Sequence, residues 1–258
     1  MSGLSWWRFQ RGVTMPWRVL FAMCLAWCLA AQAESLVVYG GDAYAPSTYL
    51  ANGKPAGTLV DILKQVSHKT GDTYVVRLYP WKRAYENALR GDGAIVGLSM
   101  TPERQALFDF SEPLYYNALQ LVVAKGHEFA FSKLEDLKGR TVGGGAGVSY
   151  GPEVDQALAS AVFALERDSD ATARLQRVLS GQLQVAIIGH GMPGLEHVVQ
   201  GHPRLMGRRA ELSVLPKPLV RDPLYLAAAK SMQKKEVLAR FNKALQELER
   251  SGQLTVQR

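Results

Sequence analysis

Residues 97–113 have the types and the spacing of a site for a small anion. They read G-L-S-M-T-P-E-R-Q-A-L-F-D-F-S-E-P. Arg104 is the central candidate, because a guanidinium group can hold a carboxylate through two parallel hydrogen bonds, which a lysine cannot do. The alternative is an ordinary surface arginine on a helix. Carboxylate binding is therefore the first hypothesis for the function of this segment.

The sequence around Arg104 predicts the elements that position it. Residues 94–96 form a short apolar run of the kind that ends a buried parallel strand, and residues 101–103, Thr-Pro-Glu, are typical of a helix start. Arg104 would then lie one short turn beyond the carboxyl end of a strand. Ligands of open α/β sheets bind at this edge, so we expect Arg104 to face a ligand cleft.

The pattern T-x-E-R followed by F-x-F-S-x-P resembles a segment of the family 3 extracellular solute-binding proteins, the receptors that supply amino-acid ABC importers. The resemblance implies an α/β, two-lobe periplasmic binding protein type II fold, with a two-strand hinge and a ligand cleft between the lobes. It also implies that Arg104 binds the α-carboxylate of the ligand. Ser99 and the backbone at Gly97 would assist.

Two aromatic residues match cleft positions of the family. Tyr44 follows the strand predicted at residues 36–39 and would cover the ligand; its alternative role is packing within its lobe. Trp81 follows Pro80, the first-turn proline at which a helix is predicted to start, and would pack on the ligand; its alternative role is in the core. The sequence leaves both choices open.

A glycine-rich segment at residues 141–150 resembles the family loop that presents backbone N–H groups to the ligand from the second lobe. Gly147, Ser149 and Tyr150 are the matching candidates. Val148 stands where many members carry threonine, so one hydroxyl contact is missing or is supplied by Ser149. The segment lacks the phosphate-binding pattern G-x-x-x-x-G-K-[ST] and the spacing of a dinucleotide fingerprint.

The largest departure from the family pattern is Gly189. Amino-acid receptors of this family have an aspartate at this position, which neutralises the ammonium of the ligand. Burying an ammonium without a carboxylate costs several kcal/mol. Either Asp42, Glu112 or another acid replaces it, or the ligand is not an ordinary α-amino acid. His190, next to the gap, is a further ligand-binding candidate, and its alternative is a loop histidine exposed to water.

The remaining elements follow the family order. We predict a helix over residues 57–70, a strand over 74–79, a strand over 119–124, a returning strand over 223–230 and a terminal helix over 235–252. The predicted domains are residues 34–117 and 226–258 for the first lobe and 118–225 for the second.

Residues 1–33 have the form of a secretory signal peptide. Three arginines precede an apolar run of about a dozen residues, and Ala31-Gln32-Ala33 offers a cleavage site. Translation could start at Met1 or at Met15. Both cysteines, Cys24 and Cys28, fall within this segment, and a lipid anchor at Cys28 is disfavoured by the bulky preceding Trp27. The expected location is the periplasm.

Composition and charge agree with a globular binding protein and do not indicate a nucleic-acid-binding or metal-binding protein. The 258 residues are 47% hydrophobic and 21% charged, and residues 34–258 carry 27 basic and 23 acidic side chains, a mild excess without nucleic-acid motifs. The five histidines lack metal-ligand spacing. We expect a monomer that binds no metal, no cofactor and no nucleic acid.

The predicted function is capture of a small carboxylate-bearing ligand, an amino acid or a related compound, for an ABC permease, without catalysis. Two alternatives stay open. One is an enzyme on the same scaffold, similar to periplasmic cyclohexadienyl dehydratases, with Glu112 or His190 as the acid. The other is a ligand-sensing component that acts on the periplasmic domain of a sensor instead of a transporter.

Overall fold

The computed structural model describes residues 33–254, which form thirteen strands and eight α-helices. The predicted signal peptide, with both cysteines, lies outside the described residues except for Ala33. The strands are β1 (Ser35–Gly41), β2 (Ala43–Tyr44), β3 (Thr48–Ala51), β4 (Lys54–Ala56), β5 (Thr73–Tyr79), β6 (Ala94–Ser99), β7 (Phe108–Phe110), β8 (Tyr115–Ala124), β9 (Val142–Gly145), β10 (Leu165–Asp168), β11 (Val185–Ile188), β12 (Leu212–Val214) and β13 (Val220–Ala229). The helices are α1 (Thr58–Thr70), α2 (Trp81–Leu89), α3 (Pro102–Leu107), α4 (Pro152–Ala159), α5 (Ala171–Leu179), α6 (Gly191–Gln200), α7 (Pro203–Met206) and α8 (Lys235–Arg250). Among these helices, none is long and apolar enough to cross a lipid bilayer.

Ten strands form one mixed sheet. Its main order is β10-β9-β11-β8-β13-β6-β1-β5, with β12 paired to β8 and β7 paired to β13. β1 runs parallel to β5 and β6, and β9 runs parallel to β10 and β11. β2, β3 and β4 form a separate small sheet. The parallel strands therefore fall into two groups, one on each side of the antiparallel pair β8 and β13.

The hydrophobic core divides in the same way. Two clusters use residues of β1, β6, α1, α2 and α8, together with the later part of β13. Two others use residues of β8, β9, β11, α4, α5 and α6. We call the part built on β1–β7, α1–α3 and α8 the first lobe and the part built on β9–β12 and α4–α7 the second lobe. The predicted domain boundaries, at 117/118 and 225/226, fall inside β8 and β13 and stay predictions.

The two long strands β8 and β13 connect the lobes. They pair in antiparallel register from Leu119 opposite Val220 to Tyr115 opposite Leu224. Further along, β8 pairs with β11 and β12 of the second lobe, and β13 pairs with β6 and β7 of the first. The pair therefore forms the two-strand hinge that the resemblance implied.

Local sequence explains most of the predicted elements. α1 ends at Gly71, whose positive φ of 80° suits a left-handed C-cap. In α8, every fourth or third residue, Val237, Phe241, Leu245 and Leu248, is buried against the first lobe as predicted. In α2 the buried residues are Ala84 and Ala88, whereas Leu89 is 41% exposed. The small side chains on that helix let it lie close to β1.

Candidate functional site

A cavity of about 460 Å³ lies between the lobes. The carboxyl ends of β1 and β6 in the first lobe and of β9, β10 and β11 in the second lobe all face it, because parallel strands end at one edge of a sheet. Eight of the nine residues predicted to bind ligand line this cavity: Tyr44, Trp81, Gly97, Ser99, Arg104, Ser149, Tyr150 and His190. The cavity is of the size that small-molecule sites have in proteins.

Arg104 lies where the sequence placed it, in the short helix after β6. Thr101 caps this helix, since its hydroxyl accepts a hydrogen bond from the backbone N–H of Arg104 at 3.2 Å, and Pro102 occupies the first turn. The Arg104 guanidinium donates from Nη1 to the carbonyl of Ser99 at 2.9 Å and lies 5.5 Å from the centre of the Tyr85 ring. Within residues 33–254, its side chain makes no other hydrogen bond, so Nε and Nη2 are available to an anion.

Gly97 interrupts the ladder between β6 and β13. Tyr225 pairs with Leu98 and Leu226 pairs with Val96, so Gly97 is left without a partner at a β-bulge. Its φ is +82°, a conformation that favours glycine. The bulge leaves the Gly97 backbone outside the ladder and beside the cavity, and its role in ligand binding stays a prediction.

Tyr44 connects the two lobes at the back of the cavity. Its phenol oxygen accepts a hydrogen bond from Asn117 Nδ2 at 2.6 Å, and its ring centre lies 4.2 Å from that of His190. Burial raises the pKa of the Tyr44 phenol above its ordinary value, so the hydroxyl stays protonated. The loop that carries Tyr44 is thus fixed against the hinge strand β8 and against the second lobe.

His190 is buried, and the alternative of a water-exposed loop histidine is wrong: the residue is 3% exposed. Its backbone N–H donates to Asn117 Oδ1 at 2.6 Å, and its Nδ1 lies 3.2 Å from Ser47 Oγ. Nε2 is buried with no hydrogen-bond partner among the described residues. Burial lowers the pKa of His190 to about 3, which makes the ring neutral at physiological pH. Sequence reasoning missed this burial because the Asn117 contact joins residues 73 positions apart.

The space beside Gly189 is filled by Tyr44. A Cβ atom on Gly189 would lie 2.6 Å from Tyr44 Oη and 3.1 Å from two carbons of the ring. A carboxylate side chain at position 189 therefore has no room unless Tyr44 moves. The family pattern has an aspartate at this position. Here the residue is Gly189, and Tyr44 of the first lobe fills the space that a side chain would occupy.

The glycine-rich loop after β9 is held by its own side chains. Tyr150 is 3% exposed, and its phenol oxygen accepts a hydrogen bond from the backbone N–H of Gly145 at 2.5 Å. The Ser149 hydroxyl donates to Asp155 in α4 and accepts from the backbone N–H of Gly151. Gly147 lies apart from the cavity, in a groove at its mouth that Arg104 and Ser149 also line. Tyr150 and Ser149 thus shape the loop as well as face the cavity.

Trp81 packs in the core and also faces the cavity, and its contact with a ligand stays a prediction. It lines the cavity at the start of α2 and also packs against the first-lobe cluster that contains Tyr39 and Phe108. Its Cε3 lies 3.7 Å from the position of a Cβ on Gly41. The indole therefore forms an apolar wall of the cavity that the core supports from behind.

Asp222 is a polar residue of the cavity that sequence reasoning missed. It lies on the hinge strand β13, is 3% exposed, and accepts a hydrogen bond from Ser99 Oγ at Oδ2 over 2.5 Å. Burial raises the pKa of Asp222 to about 6, against the opposing effects of the Ser99 hydrogen bond and of the Arg104 charge. A signal was present in the sequence, since Asp222 is an acid at the third position of a ten-residue strand whose following residues are apolar.

Asp168 and Arg174 also line the cavity and form an ion pair that sequence reasoning missed. Arg174 of α5 donates to both carboxylate oxygens of Asp168, from Nε at 3.0 Å and from Nη2 at 2.6 Å, and its Nη1 donates to the carbonyl of Ile187 at 2.8 Å. The Arg174 side chain is 8% exposed. Because its polar groups are all engaged, this arginine shapes the cavity wall and leaves Arg104 as the better candidate for an anion.

Asp42 and Glu112 are the acids that the sequence offered as replacements for the aspartate absent at position 189, and only Asp42 lies in the cavity lining. Glu112 lies outside the lining, where its Oε1 accepts a hydrogen bond from Gln246 Nε2 and its backbone N–H donates to Asn242 Oδ1. Glu112 is therefore occupied by α8 and does not face a ligand. Within the described residues, no group of three or more histidine, cysteine or acidic side chains could hold a metal ion.

Comparison with known proteins agrees with this geometry. Residues 36–256 match the family model of bacterial extracellular solute-binding proteins, family 3. The chain is 25% identical over 249 residues to the arginine-binding extracellular protein ArtP of Bacillus subtilis, covering 92% of this chain and 93% of that protein.

Among solved structures, the chain is similar to a histidine kinase sensor domain that resembles periplasmic binding proteins. That match has a TM-score of 0.70 and 23% identity, over 85% of this chain and 92% of the other. It is also similar to an ancestral arginine-binding protein bound to arginine, with a TM-score of 0.67 and 23% identity over 84% and 93% of the two chains. These two likenesses establish the two-lobe periplasmic binding protein fold. With the family model matched over nearly all of the described residues, the chain belongs to family 3 of the bacterial extracellular solute-binding proteins.

Proposed function

We propose that this protein is a periplasmic receptor that captures a small carboxylate-bearing ligand, an amino acid or a related compound, for an ABC importer. The proposal rests on the position of Arg104 in the cavity and on its unengaged N–H groups. Arg104 lines the cavity, its single side-chain hydrogen bond within residues 33–254 goes to the Ser99 carbonyl, and it retains N–H groups for a carboxylate. The bulged backbone of Gly97 and the hydroxyl of Ser99 lie on the same wall.

The relatives support an amino acid as the ligand class. ArtP is named for arginine binding, and the ancestral protein of similar fold was solved with arginine. The side chain of the ligand would lie against Trp81 and the apolar part of the cavity. Gly97, Ser99, Tyr44, Ser149, Tyr150 and His190 would complete the shell, with Gly147 at the mouth.

The mechanism is capture without chemistry. Ligand contacts that span both lobes favour the closed form, and closure excludes water from the charged groups. Contacts between the lobes already exist beside the cavity: Ser47 with His190, Tyr44 with His190, and Tyr49 with His197, whose ring centres are 5.7 Å apart. The closed surface would be recognised by the permease.

The proposal leaves a choice between two kinds of partner, an ABC permease and a sensor. The likeness to a histidine kinase sensor domain favours, as the alternative, a receptor that signals to the periplasmic domain of a sensor. In both cases the protein would act as a monomer. The genes that neighbour this one distinguish the two partners: permease and ATPase genes support the importer, and a lone sensor gene supports signalling.

An enzyme on this scaffold is the remaining alternative, and one observation favours it. Asp222, in the cavity, has its pKa raised by burial to about 6, a value suited to a general acid. Incubating each ligand that binds with the protein and analysing the solution by mass spectrometry separates the two functions. A ligand recovered unchanged supports capture, whereas a new product supports the enzyme.

The test of the proposed function is Arg104→Ala. The purified protein, stripped of ligand by unfolding and refolding, is titrated calorimetrically with amino acids and small organic acids. We expect the Arg104→Ala variant to bind each hit at least about tenfold more weakly, or about 1.4 kcal/mol. Arg104→Lys should restore little of this loss, because lysine lacks the planar fork.

Arg83→Ala is the matched control. Arg83 is an exposed arginine of α2 that stacks on Tyr79 at 4.3 Å and does not line the cavity. Its loss should leave the affinity unchanged. If Arg104→Ala binds as tightly as the control variant, the carboxylate does not lie on Arg104 and the proposal fails.

A further inference from the structure

The ring of His190 is enclosed by parts of the molecule other than its own lobe. His190 directly precedes α6 of the second lobe, but its ring centre lies 4.2 Å from that of Tyr44 in the first lobe and 5.5 Å from that of Tyr115 on the hinge strand β8. Its Nδ1 lies 3.2 Å from Oγ of Ser47, a first-lobe residue that is fully buried. Because Tyr44 and Ser47 belong to the other lobe, the ring is enclosed in this way only while the two lobes are together.

The backbone at His190 is strained, and the hinge holds it. Its φ is +64°, in the left-handed region that residues other than glycine rarely adopt. Oδ1 of Asn117, on β8, accepts the His190 N–H at 2.6 Å. Strained backbone of this kind is concentrated at sites where the conformation is part of the function. The position of His190 therefore depends on the hinge as well as on the first lobe.

The enclosed ring lies in uncharged surroundings. Its Nε2 is buried without a hydrogen-bond partner among the described residues. The titratable groups that face the ring are the phenols of Tyr44 and Tyr115, and burial raises the pKa of both phenols, so they stay protonated and uncharged. The Ser47 hydroxyl and the Asn117 amide are the polar groups beside the ring, and neither carries a charge.

The charged side chains around the cavity do not pair with His190. On α6 itself, Glu196 pairs with Arg209, and the ring of His197 lies 5.7 Å from that of Tyr49. The other charged side chains of the cavity lining are Asp42, Lys82, Arg104, Asp168, Arg174 and Asp222. Within residues 33–254, none of these groups is hydrogen-bonded or ion-paired to His190. A proton on the enclosed ring is therefore uncompensated, and its cost disfavours this arrangement of the lobes.

We propose that the lobes close on a ligand only when His190 is neutral, so that this histidine makes capture depend on pH without having to touch the ligand. With the lobes apart, an imidazole in contact with water has a pKa of about 6.5. Burial lowers the pKa of His190 to about 3 in the enclosed arrangement. Closure below about pH 6.5 must therefore release a proton from the ring to the solvent, and affinity should fall by up to about tenfold for each pH unit below that value. The inference rests on the proposed function, since it takes lobe closure as the means of capture.

The test is the pH profile of ligand affinity. The refolded, ligand-free protein is titrated calorimetrically with the standard L-amino acids and with small organic acids, and each compound that binds at about pH 7.5 is titrated again at about pH 5. We expect the affinity of the wild-type protein to fall at least about tenfold over this range. His190→Asn should remove this part of the fall, because asparagine does not ionise and tolerates a positive φ. Asp222, whose pKa is about 6, titrates in both proteins, so comparing the two profiles separates its effect from that of His190.

A count of released protons tests the same step directly. Calorimetry at about pH 5.5 in buffers of different ionisation enthalpy measures the protons released on binding, and the wild-type protein should release about one proton more than His190→Asn. His190→Gln gives the same readouts if the asparagine variant does not fold. A purely structural role of His190 would weaken binding equally at both pH values and leave the proton count unchanged.

His68→Asn is the matched control. His68 is an exposed histidine of α1 that does not line the cavity. Its loss should leave the pH profile and the proton count as they are in the wild-type protein.

Three results would overturn the inference. If the wild-type protein binds equally tightly at both pH values, closure does not require a neutral His190. If His190→Asn keeps the wild-type profile, another group titrates on closure. If His68→Asn removes the pH dependence, the effect does not arise between the lobes. In each case capture through Arg104 still stands, because only the failure of Arg104→Ala to weaken any ligand would remove the proposed function.

Discussion

The phenol of Tyr44 fills the space beside Gly189, so that a Cβ at position 189 would lie 2.6 Å from Tyr44 Oη. Tyr44 belongs to the first lobe and Gly189 to the second, and the phenol is kept in place by Asn117 Nδ2 at 2.6 Å. The missing side chain and the tyrosine are therefore complementary. A side chain at position 189 would have to displace the Tyr44 phenol for the lobes to keep this arrangement.

Gly189→Ala should weaken the contact between the lobes. The added methyl group must displace the Tyr44 phenol from Asn117, and overpacking of this kind costs about 1–3 kcal/mol. Urea denaturation measures the change in the free energy of unfolding. In a Tyr44→Ala background the same substitution should cost much less, because the group it collides with is gone. Gly207→Ala, where the nearest atom lies 4.0 Å from a Cβ, is the control. Equal costs in both backgrounds would contradict the complementarity.

Asp222→Asn should increase the stability of the ligand-free protein at neutral pH. The folded pKa of Asp222, about 6, lies above the value near 4 of an unfolded aspartate. The stabilising contribution of protonated Asp222 is therefore fully present below about pH 4 and is lost as the pH rises through about 6. Asparagine does not ionise, so the variant should exceed the wild type by about 1–2 kcal/mol at about pH 7.5 and by less near about pH 4.

Thermal unfolding of both proteins across this pH range measures the difference. Arg104, Ser99 and Asp155 are the groups that act on Asp222, and they stay unchanged in the variant. Asp61→Asn, at a side chain that is 62% exposed, controls for the loss of one surface charge. A variant that is less stable than the wild type over the whole range would contradict the destabilising effect of ionised Asp222.

Asp168→Ala should destabilise the second lobe strongly. It leaves the Arg174 guanidinium, which is 8% exposed, without its carboxylate, and breaking a buried ion pair costs about 3–5 kcal/mol. Glu211→Ala breaks the exposed pair with Arg208, in which both side chains are about half exposed, and should change the unfolding midpoint little. Chemical denaturation of both variants tests this difference. Similar midpoints for the two variants would show that Arg174 is held mainly by the Ile187 carbonyl.

Tyr150→Phe should loosen the loop after β9. Removing the phenol oxygen leaves the Gly145 N–H without its acceptor, at a cost of about 1–3 kcal/mol. Hydrogen exchange at residues 145–150 should become faster, and ligand affinity should fall if the loop contributes N–H groups to the site. Tyr79→Phe is the control, since within residues 33–254 the Tyr79 hydroxyl makes no hydrogen bond. Unchanged exchange would mean that Arg167, which donates to the carbonyls of Gly145 and Val148, fixes the loop instead.

The sequence predicted best what local signals determine. Arg104 follows a buried strand and a Thr-Pro-Glu helix start, and these signals lie within about ten residues of it, so its position beside the cleft could be derived. The apolar face of α8 could be derived from helical spacing for the same reason. The order of the family motifs then supplied the two-lobe fold that the structure has.

The sequence could not predict what long-range pairing determines. Asp222 meets Ser99 across 123 residues, and Asn117 meets Tyr44 across 73. Both contacts depend on the register between β8, β13 and β6, which no local pattern specifies. The burial of His190 and the filling of the space beside Gly189 follow from the same packing of one lobe on the other.

Asn117 and Asp222 lie directly opposite each other in the paired strands β8 and β13. Asn117 holds Tyr44 from one lobe and the backbone of His190 from the other, while Asp222 holds Ser99 and lies beside Gly151. Asn117 and Asp222 therefore belong both to the hinge and to the lining of the cavity. A molecule bound against Asn117 and Asp222 would contact the two hinge strands directly, without intervening side chains.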